Sequence, residues 1–377
     1  MNNLLDPRQH GFVPRRSTCS QLLVMTQDYA EFVNGRSPFH AIYFDQRSAF
    51  DKVDHGLLLD KMSDIGIHGK TIDWCRDYLS NRTFSVCVDG VLSSPRDVTS
   101  GVIQGGSLSP TLYVIFVLDI GRFIPPEVRY LTFADDLKIY CPVRDISERV
   151  LLQSAVEGVA KWCLANHMEL SPSNTVVLAY SPRAATSPPP TYILDGIVLP
   201  IEDSVRDVGV IVTPNLDFGE HVSGVTAFAR QLINCIFRCS IVKNPEFYKR
   251  LYVSLVVSEL LYCCPVWLPY KQKHIRMLES VARYFDRRLH HRCGLPRGSI
   301  VVPSVMSILS ARDIGTLRRL LDLNLVNHFV EVRKSRSRSA CIVRSKGIAH
   351  TENVRNIFSW RICSKVAKRE IPSLLFL

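Results

Sequence analysis

Two adjacent carboxylates, Asp135 and Asp136, stand in the stretch Thr132-Phe133-Ala134-Asp135-Asp136-Leu137-Lys138-Ile139-Tyr140, between two apolar, β-prone runs. A third, Asp45, abruptly ends the apolar run Ala41-Ile42-Tyr43-Phe44 and is followed by Gln46-Arg47-Ser48-Ala49-Phe50-Asp51. Taken alone, an Asp-Asp pair is explained by a solvated turn, where Asp bonds its own backbone. The third carboxylate changes the reading. A strand that delivers Asp45 beside a turn carrying Asp135 and Asp136 builds a hard, oxygen-rich site suited to Mg²⁺ or Mn²⁺. Two such ions, about 3.5–4 Å apart, activate an attacking oxygen and neutralise a leaving one, so the expected chemistry is phosphoryl transfer. That chemistry requires the three carboxylates to converge within roughly 4–8 Å of one another.

The elements around these residues are set by hydrophobic period and turn chemistry. Tyr130 to Phe133 and Leu137 to Tyr140 alternate as a hairpin, with Ala134-Asp135-Asp136 as its turn. Ser17 to Gly35 reads as an amphipathic helix ahead of the Asp45 strand, Asp51 to Gly66 as a helix after it, and Thr71 to Leu79 as another with Trp74, Cys75 and Tyr78 inward. Phe84 to Val88 and Arg96 to Thr99 read as strands joined by a turn at Asp89-Gly90. The glycine-rich turn Gly101-Val102-Ile103-Gln104-Gly105-Gly106-Ser107 leads into a helical run, Leu112 to Phe123. Such a turn brings backbone N–H groups and the Gln104 amide towards a nucleotide or template base, or serves only as a turn. Beyond the hairpin come a helix over Ile146 to Asn166, a strand over Val176 to Tyr180, and a Pro- and Ala-rich loop from Arg183 to Pro190. From Phe218 the period is helical, through Ala227 to Phe237, Phe247 to Cys264 and His274 to Leu289.

Four ordered motifs carry a family resemblance. Gln9-His10-Gly11-Phe12 with Arg16-Ser17-Thr18, then Phe44-Asp45 with Ala49-Phe50-Asp51, then Gly101-Val102-Ile103-Gln104-Gly105, then Phe133-Ala134-Asp135-Asp136 resemble the reverse transcriptases of non-LTR, jockey-like retrotransposons. The resemblance covers about residues 9–290, and Tyr192 to Leu199 with Val205 to Val212 resemble the family's next hairpin. It implies an α+β fold, a right-hand polymerase palm of ferredoxin-like antiparallel sheet and helices, with partial fingers and a helical thumb. The implied domains are a palm with a remnant of fingers over 1–212, a thumb over 213–300 and a basic extension over 301–377. The implied activity is RNA-directed DNA polymerisation by two-metal nucleotidyl transfer. Its partners are an RNA template, a DNA primer and deoxynucleoside triphosphates.

By the same resemblance Asp45, Asp135 and Asp136 are the catalytic metal ligands, Phe50 stacks under the sugar and rejects a 2′-hydroxyl, and Gln104, Gly105 and Arg16 contact the nucleotide. Ile103 stands where the family has Pro, Gly106 where it has Ser, and Asn174 where it often has a Lys near the triphosphate. Only Met1 to Arg8 precedes the first motif, where a fingers segment is usual. The expectation is therefore a truncated copy, weakly active or inactive, with a non-catalytic RNA- or DNA-binding relic as the alternative. Nucleotide cyclases also use a palm with carboxylate-bound metals, but the Gly-Phe, Ala-Phe-Asp and Gln-Gly motifs in register argue against them.

Charge is unevenly held. Residues 1–190 carry 18 Lys and Arg against 20 Asp and Glu, whereas residues 191–377 carry 28 against 15. A basic second half suits a phosphate backbone, and Lys249, Arg250, Arg283, Arg287 and Arg288 are its candidate contacts. Arg333-Lys334-Ser335-Arg336-Ser337-Arg338-Ser339 is a basic, serine-rich run expected to stay flexible, as an RNA contact, a nuclear signal or a linker. The 12 cysteines include no Cys-x-x-Cys pair and read as reduced thiols of the cytosol or nucleus. No stretch has the ~20 apolar residues that cross a bilayer, and Met1 to His10 is too polar for a secretion signal. Nothing in the sequence identifies a specific protein partner.

Overall fold

Five of the six residues of the strand Phe39–Phe44 are buried, the pattern of a strand covered on both faces. In the computed structural model, which describes residues 5–182, 191–296, 304–309, 330–334 and 341–345, this strand is the centre of a five-stranded sheet. Asp136–Pro142 pairs with it antiparallel on one side and Val176–Tyr180 on the other. Arg129–Phe133 lies outside the first, and Ile201–Glu202 runs parallel outside the second. Numbered along the chain, the four antiparallel strands lie in the order 4-1-3-2, the ferredoxin-like arrangement the motifs imply.

Ile42, Phe44, Leu137, Ile139 and Val177 share one apolar core with four helices, His55–Asp64, Lys70–Leu79, Ser109–Phe116 and Ile146–Ala165. Two helix starts follow from capping. Asp54 accepts from the Leu57 N–H at 2.9 Å and Asp145 from the Glu148 N–H at 3.0 Å. The first cap moves the expected helix start from Asp51 to His55 and leaves residues 47–52 as turns. Trp74, expected inward, is 56% exposed and stacks on Tyr78. The helix stays amphipathic through Ile72, Cys75 and Leu79 alone.

The segment between these helices and the glycine-rich turn is an arm of four two-residue strands. Thr83–Phe84 pairs with Arg96–Asp97, and Cys87–Val88 with Val91–Leu92 across the Asp89-Gly90 turn. The turn falls where the sequence marks it, but Val88 pairs with Val91, and Arg96 pairs with Phe84 further down the arm.

Compactness groups Met1–Ser17 with Ser37–Glu202, and Thr18–Arg36 with Asp203–Leu377. Within the second unit the helix Thr18–Asn34 is buried over most of its length and packs against Cys264–Trp267. Gly219–Cys239 packs along Gln272–Cys293, with Phe237 stacked on Tyr248 at 4.6 Å and Tyr252 on Phe285 at 4.2 Å. The helix expected from Phe247 to Cys264 is interrupted. A π-turn spans Tyr252–Val257, the helix stops at Leu261, and Cys263 takes a left-handed φ of 45°. Arg333 and Lys334 end a strand, Val330–Lys334, paired with Cys341–Ser345. Residues Ser335–Ser339 and the expected loop Arg183–Pro190 lie outside the described residues. Among the described residues no helix is long and apolar enough to cross a membrane.

Two predictions follow from the packing of the first unit. A Cβ on Gly158 would lie 1.9 Å from the Phe123 carbonyl oxygen, where backbone rather than a flexible side chain must yield. Gly158→Ala is expected to cost about 1–3 kcal/mol, read as a lowered midpoint in urea with the slope unchanged. His40 is buried, its Nδ1 2.7 Å from the Tyr192 hydroxyl, and burial, reinforced by Arg149, lowers its pKa to about 4. Between that value and the ordinary 6.5 the unfolded chain binds the extra proton, so stability rises with pH across this window and is lost as pH falls through it. Replacing His40 with Gln should flatten the pH 4–6.5 part of the stability profile, a term of about 3 kcal/mol. An unchanged slope in thermal melts would remove His40 as the cause.

Candidate active site

The hairpin turn is tighter than the sequence suggests. Phe133 pairs directly with Asp136, leaving Ala134 and Asp135 as a two-residue loop, with Ala134 at a φ of +56°. Asp136 thus opens the returning strand. In the central pair Phe44, the residue before Asp45, faces Leu137, the residue after Asp136. The ends of the two strands that lead to Asp45 and from Asp136 therefore lie side by side, with Asp135 on the adjoining loop.

The turn is fixed from outside by the first motif. The chain at Arg8 to His10 lies alongside the outer strand, the His10 N–H donating to the Thr132 carbonyl at 2.9 Å and the Thr132 N–H to that of Arg8 at 3.1 Å. The Gln9 side-chain oxygen, buried, accepts from the N–H groups of both Gly11 and Ala134, at 2.9 and 3.2 Å. A Cβ on Gly11 would lie 2.3 Å from the Ala134 nitrogen, so only glycine permits this approach. Arg16 works in the same place. Its guanidinium donates to the carbonyls of Pro7 and Gln9, and burial, partly offset by Asp6, lowers its pKa. Its Nη1 is thereby engaged with backbone and brackets the motif.

Phe50 reaches the same neighbourhood. Its ring stacks on Tyr113 at 4.4 Å and meets the Phe12 ring edge-on at 6.0 Å. Tyr113 is buried, donates to Gln46 at 3.2 Å, and has a pKa well above its ordinary value, because of burial first and then the charges of Asp135, Cys163 and Asp136. Both carboxylates of the hairpin are therefore within electrostatic reach of this phenol, which stays neutral. The glycine-rich turn is tied to Phe50 through the backbone. The Val102 N–H donates to the Phe50 carbonyl and the Gly101 N–H to that of Val53, each at 2.8 Å. Gln104 is exposed and donates to Asp51 at 2.6 Å, with Gly105 beside it on the surface.

Gln9, part of the first motif but without an expected role, and Tyr113 act through the positions they hold, which no local pattern reveals. Lys138 lies two residues past Asp136, on its side of the strand, and is buried with its ammonium 5.7 Å from the Tyr43 ring. Lysine is rarely buried, so the alternation of the strand was its only signal.

In the second unit the candidate nucleic-acid contacts separate by environment. Arg283 and Arg287 are exposed on one face of Gln272–Cys293, joined by Arg276, which the sequence reading did not single out. Heptad and i+4 spacing is the signal that finds it. Arg288 lies over the Phe237 ring at 5.5 Å, and Lys249 pairs with Glu246 at 2.7 Å, while Arg250 is exposed.

The reverse transcriptase (RNA-dependent DNA polymerase) family model matches residues 1–210. The chain belongs to the reverse transcriptase family. A probable RNA-directed DNA polymerase from transposon BS of Drosophila melanogaster is 24% identical over 274 residues, 70% of this chain and 30% of the relative. The RNA-directed DNA polymerase from mobile element jockey of Drosophila funebris is 24% identical over 291 residues, 74% and 31% of the two chains. These relatives bear out the jockey-like, non-LTR resemblance of the motifs. The chain spans about 30% of their length. A telomerase structure from Candida tropicalis covers 83% of this chain and 51% of its own at 13% identity, with a TM-score of 0.42, too slight a likeness to carry an argument.

Reverse transcriptases as a family use divalent metal ions. The donor set here, three carboxylates, is the chemistry such hard cations select. Among the described residues, however, no group of three or more His, Cys, Asp or Glu side chains is closed into a metal-holding cluster. Asp45 in particular is already engaged, accepting from the Asn174 side chain at 2.9 Å.

The Gln9 clamp yields a direct test. Gln9→Ala leaves the buried Gly11 and Ala134 N–H groups without their acceptor, at a cost of about 1–3 kcal/mol. Faster hydrogen exchange at Ala134 and a lower melting temperature are expected. Unchanged protection would mean that the Gly11 backbone contact alone holds the turn.

Proposed function

We propose that this chain carries the RNA-directed DNA polymerase activity of a non-LTR retrotransposon, extending a DNA primer on an RNA template. The observation that supports the reading is the pairing of Phe44 with Leu137, the chain neighbours of Asp45 and Asp136, in a chain of reverse transcriptase family. The domain roles proposed are a palm over 1–212, a thumb over 213–300 and a basic extension over 301–377.

In this reading Asp45, Asp135 and Asp136 hold Mg²⁺ or Mn²⁺, which when bound lowers the barrier by neutralising charge on the attacking and leaving oxygens. The chain's own residues do the positioning. Phe50, braced by Tyr113, supplies a flat floor for the sugar, and its bulk discriminates against a 2′-hydroxyl. The turn at Gln104 and Gly105 offers backbone and amide donors to the nucleotide, and Arg16 acts on it through the Gln9 segment it brackets. Lys249, Arg250, Arg283, Arg287 and Arg288 contact phosphates of the duplex. The neutral amide at Asn174 neither donates a proton readily nor offsets charge on the leaving pyrophosphate. A general acid there contributes about 10²–10⁴-fold, so turnover is expected to be low.

The open carboxylate set favours a second reading, an RNA- or DNA-binding domain without catalysis. Primer extension on an RNA template with Mg²⁺ or Mn²⁺ separates the two. The polymerase reading expects slow, template-dependent addition that Asp135→Ala/Asp136→Ala abolishes while leaving template binding within about twofold. Binding without extension in either metal would establish the non-catalytic reading.

A further inference from the structure

Asp45 is held by a segment that no motif of the family marked as its partner. The Ser171 N–H donates to the Asp45 carbonyl at 2.8 Å, and the Asp45 N–H donates to the Thr175 hydroxyl at 3.4 Å. Between these two backbone ties the Asn174 Nδ2 donates to Asp45 Oδ2 at 2.9 Å, while Asn174 Oδ1 accepts from Ser173 at 3.4 Å. The amide orientation is chemically forced, because turning it would set the carbonyl oxygen against a carboxylate. Asn174 is exposed, so no burial in the core orients its side chain toward Asp45.

We propose that Asn174 is a positioning residue that competes with the divalent cation for Asp45 Oδ2. The amide holds the carboxylate rotamer. A cation must either displace it or bind through the other oxygen alone. The inference rests on the reading of Asp45 as a metal ligand. A lysine there would place an ammonium against Asp45 and repel the cation directly.

The test is Mn²⁺ affinity of the full chain, measured by electron paramagnetic resonance for the wild type, Asn174→Ala, Asn174→Lys and Asp45→Asn. Removing the competing donor in Asn174→Ala should tighten Mn²⁺ binding about 3–10-fold, the scale of one partly exposed, charge-assisted hydrogen bond. Asn174→Lys should weaken it by at least about 10-fold, with thermal melting unchanged. In the wild type, the Asn174 side-chain amide resonances should move on addition of Mg²⁺ and stay in place in Asp45→Asn. If both Asn174 variants bind Mn²⁺ like the wild type while Asp45→Asn loses it, the proposal falls and Asp45 stands as a ligand. If Asp45→Asn binds as the wild type does, the metal reading falls, and the proposal with it.

Discussion

The pairing of Phe44 with Leu137 is the constraint on which the rest of the site depends. A slip of one residue between these strands would carry Asp45 away from Asp136 and turn Ile42 and Ile139 out of the core. The hydrophobic burial that fixes the sheet therefore also fixes the carboxylates, although none of the burial involves them. Everything else at the site acts on this pair from the side. Gln9 holds the turn, Tyr113 braces Phe50, and the ties from Gly101 and Val102 bring the glycine-rich turn to the segment that follows Asp45.

This division of labour explains what could be read beforehand. The hairpin, the strand Val176–Tyr180 and the helix Ile146–Ala165 follow from local period and capping, and the sequence locates each within a residue or two. The 4-1-3-2 order follows from the family motifs, because the chain alone does not say which strands lie together. The failures have physical causes of two kinds. At Asp51, a cap three residues downstream outweighs apolar spacing, and at Tyr252 to Cys263 a largely apolar run gives no sign of its π-turn or its left-handed residue. The other failures concern side chains that act over long separations. Gln9 meets Ala134, and Asn174 meets Asp45 across the sheet, and a single sequence encodes neither contact locally.

The carboxylates themselves were legible because their chemistry leaves few alternatives, whereas their supports were not. Glutamine and tyrosine are common residues, and what distinguishes Gln9 and Tyr113 is where the fold sets them, whereas Asn174 stands out by the family's lysine although its contact with Asp45 does not. Arg16 shows the reverse case, a residue whose charge suggested a ligand and whose partners are backbone carbonyls.

The arm at Thr83–Asp97 bears on a different property, the colloidal behaviour of the protein. Val88, Val91 and Leu92 near its tip are 64%, 72% and 68% exposed, a concentration of apolar surface unusual for a segment with so little behind it. Each of its strands is only two residues long, too short to template a growing sheet. Contacts between arms in concentrated solution would then be made by side chains and not by backbone pairing. Such contacts are reversible, and they strengthen with sulfate and weaken with cold, as apolar burial does.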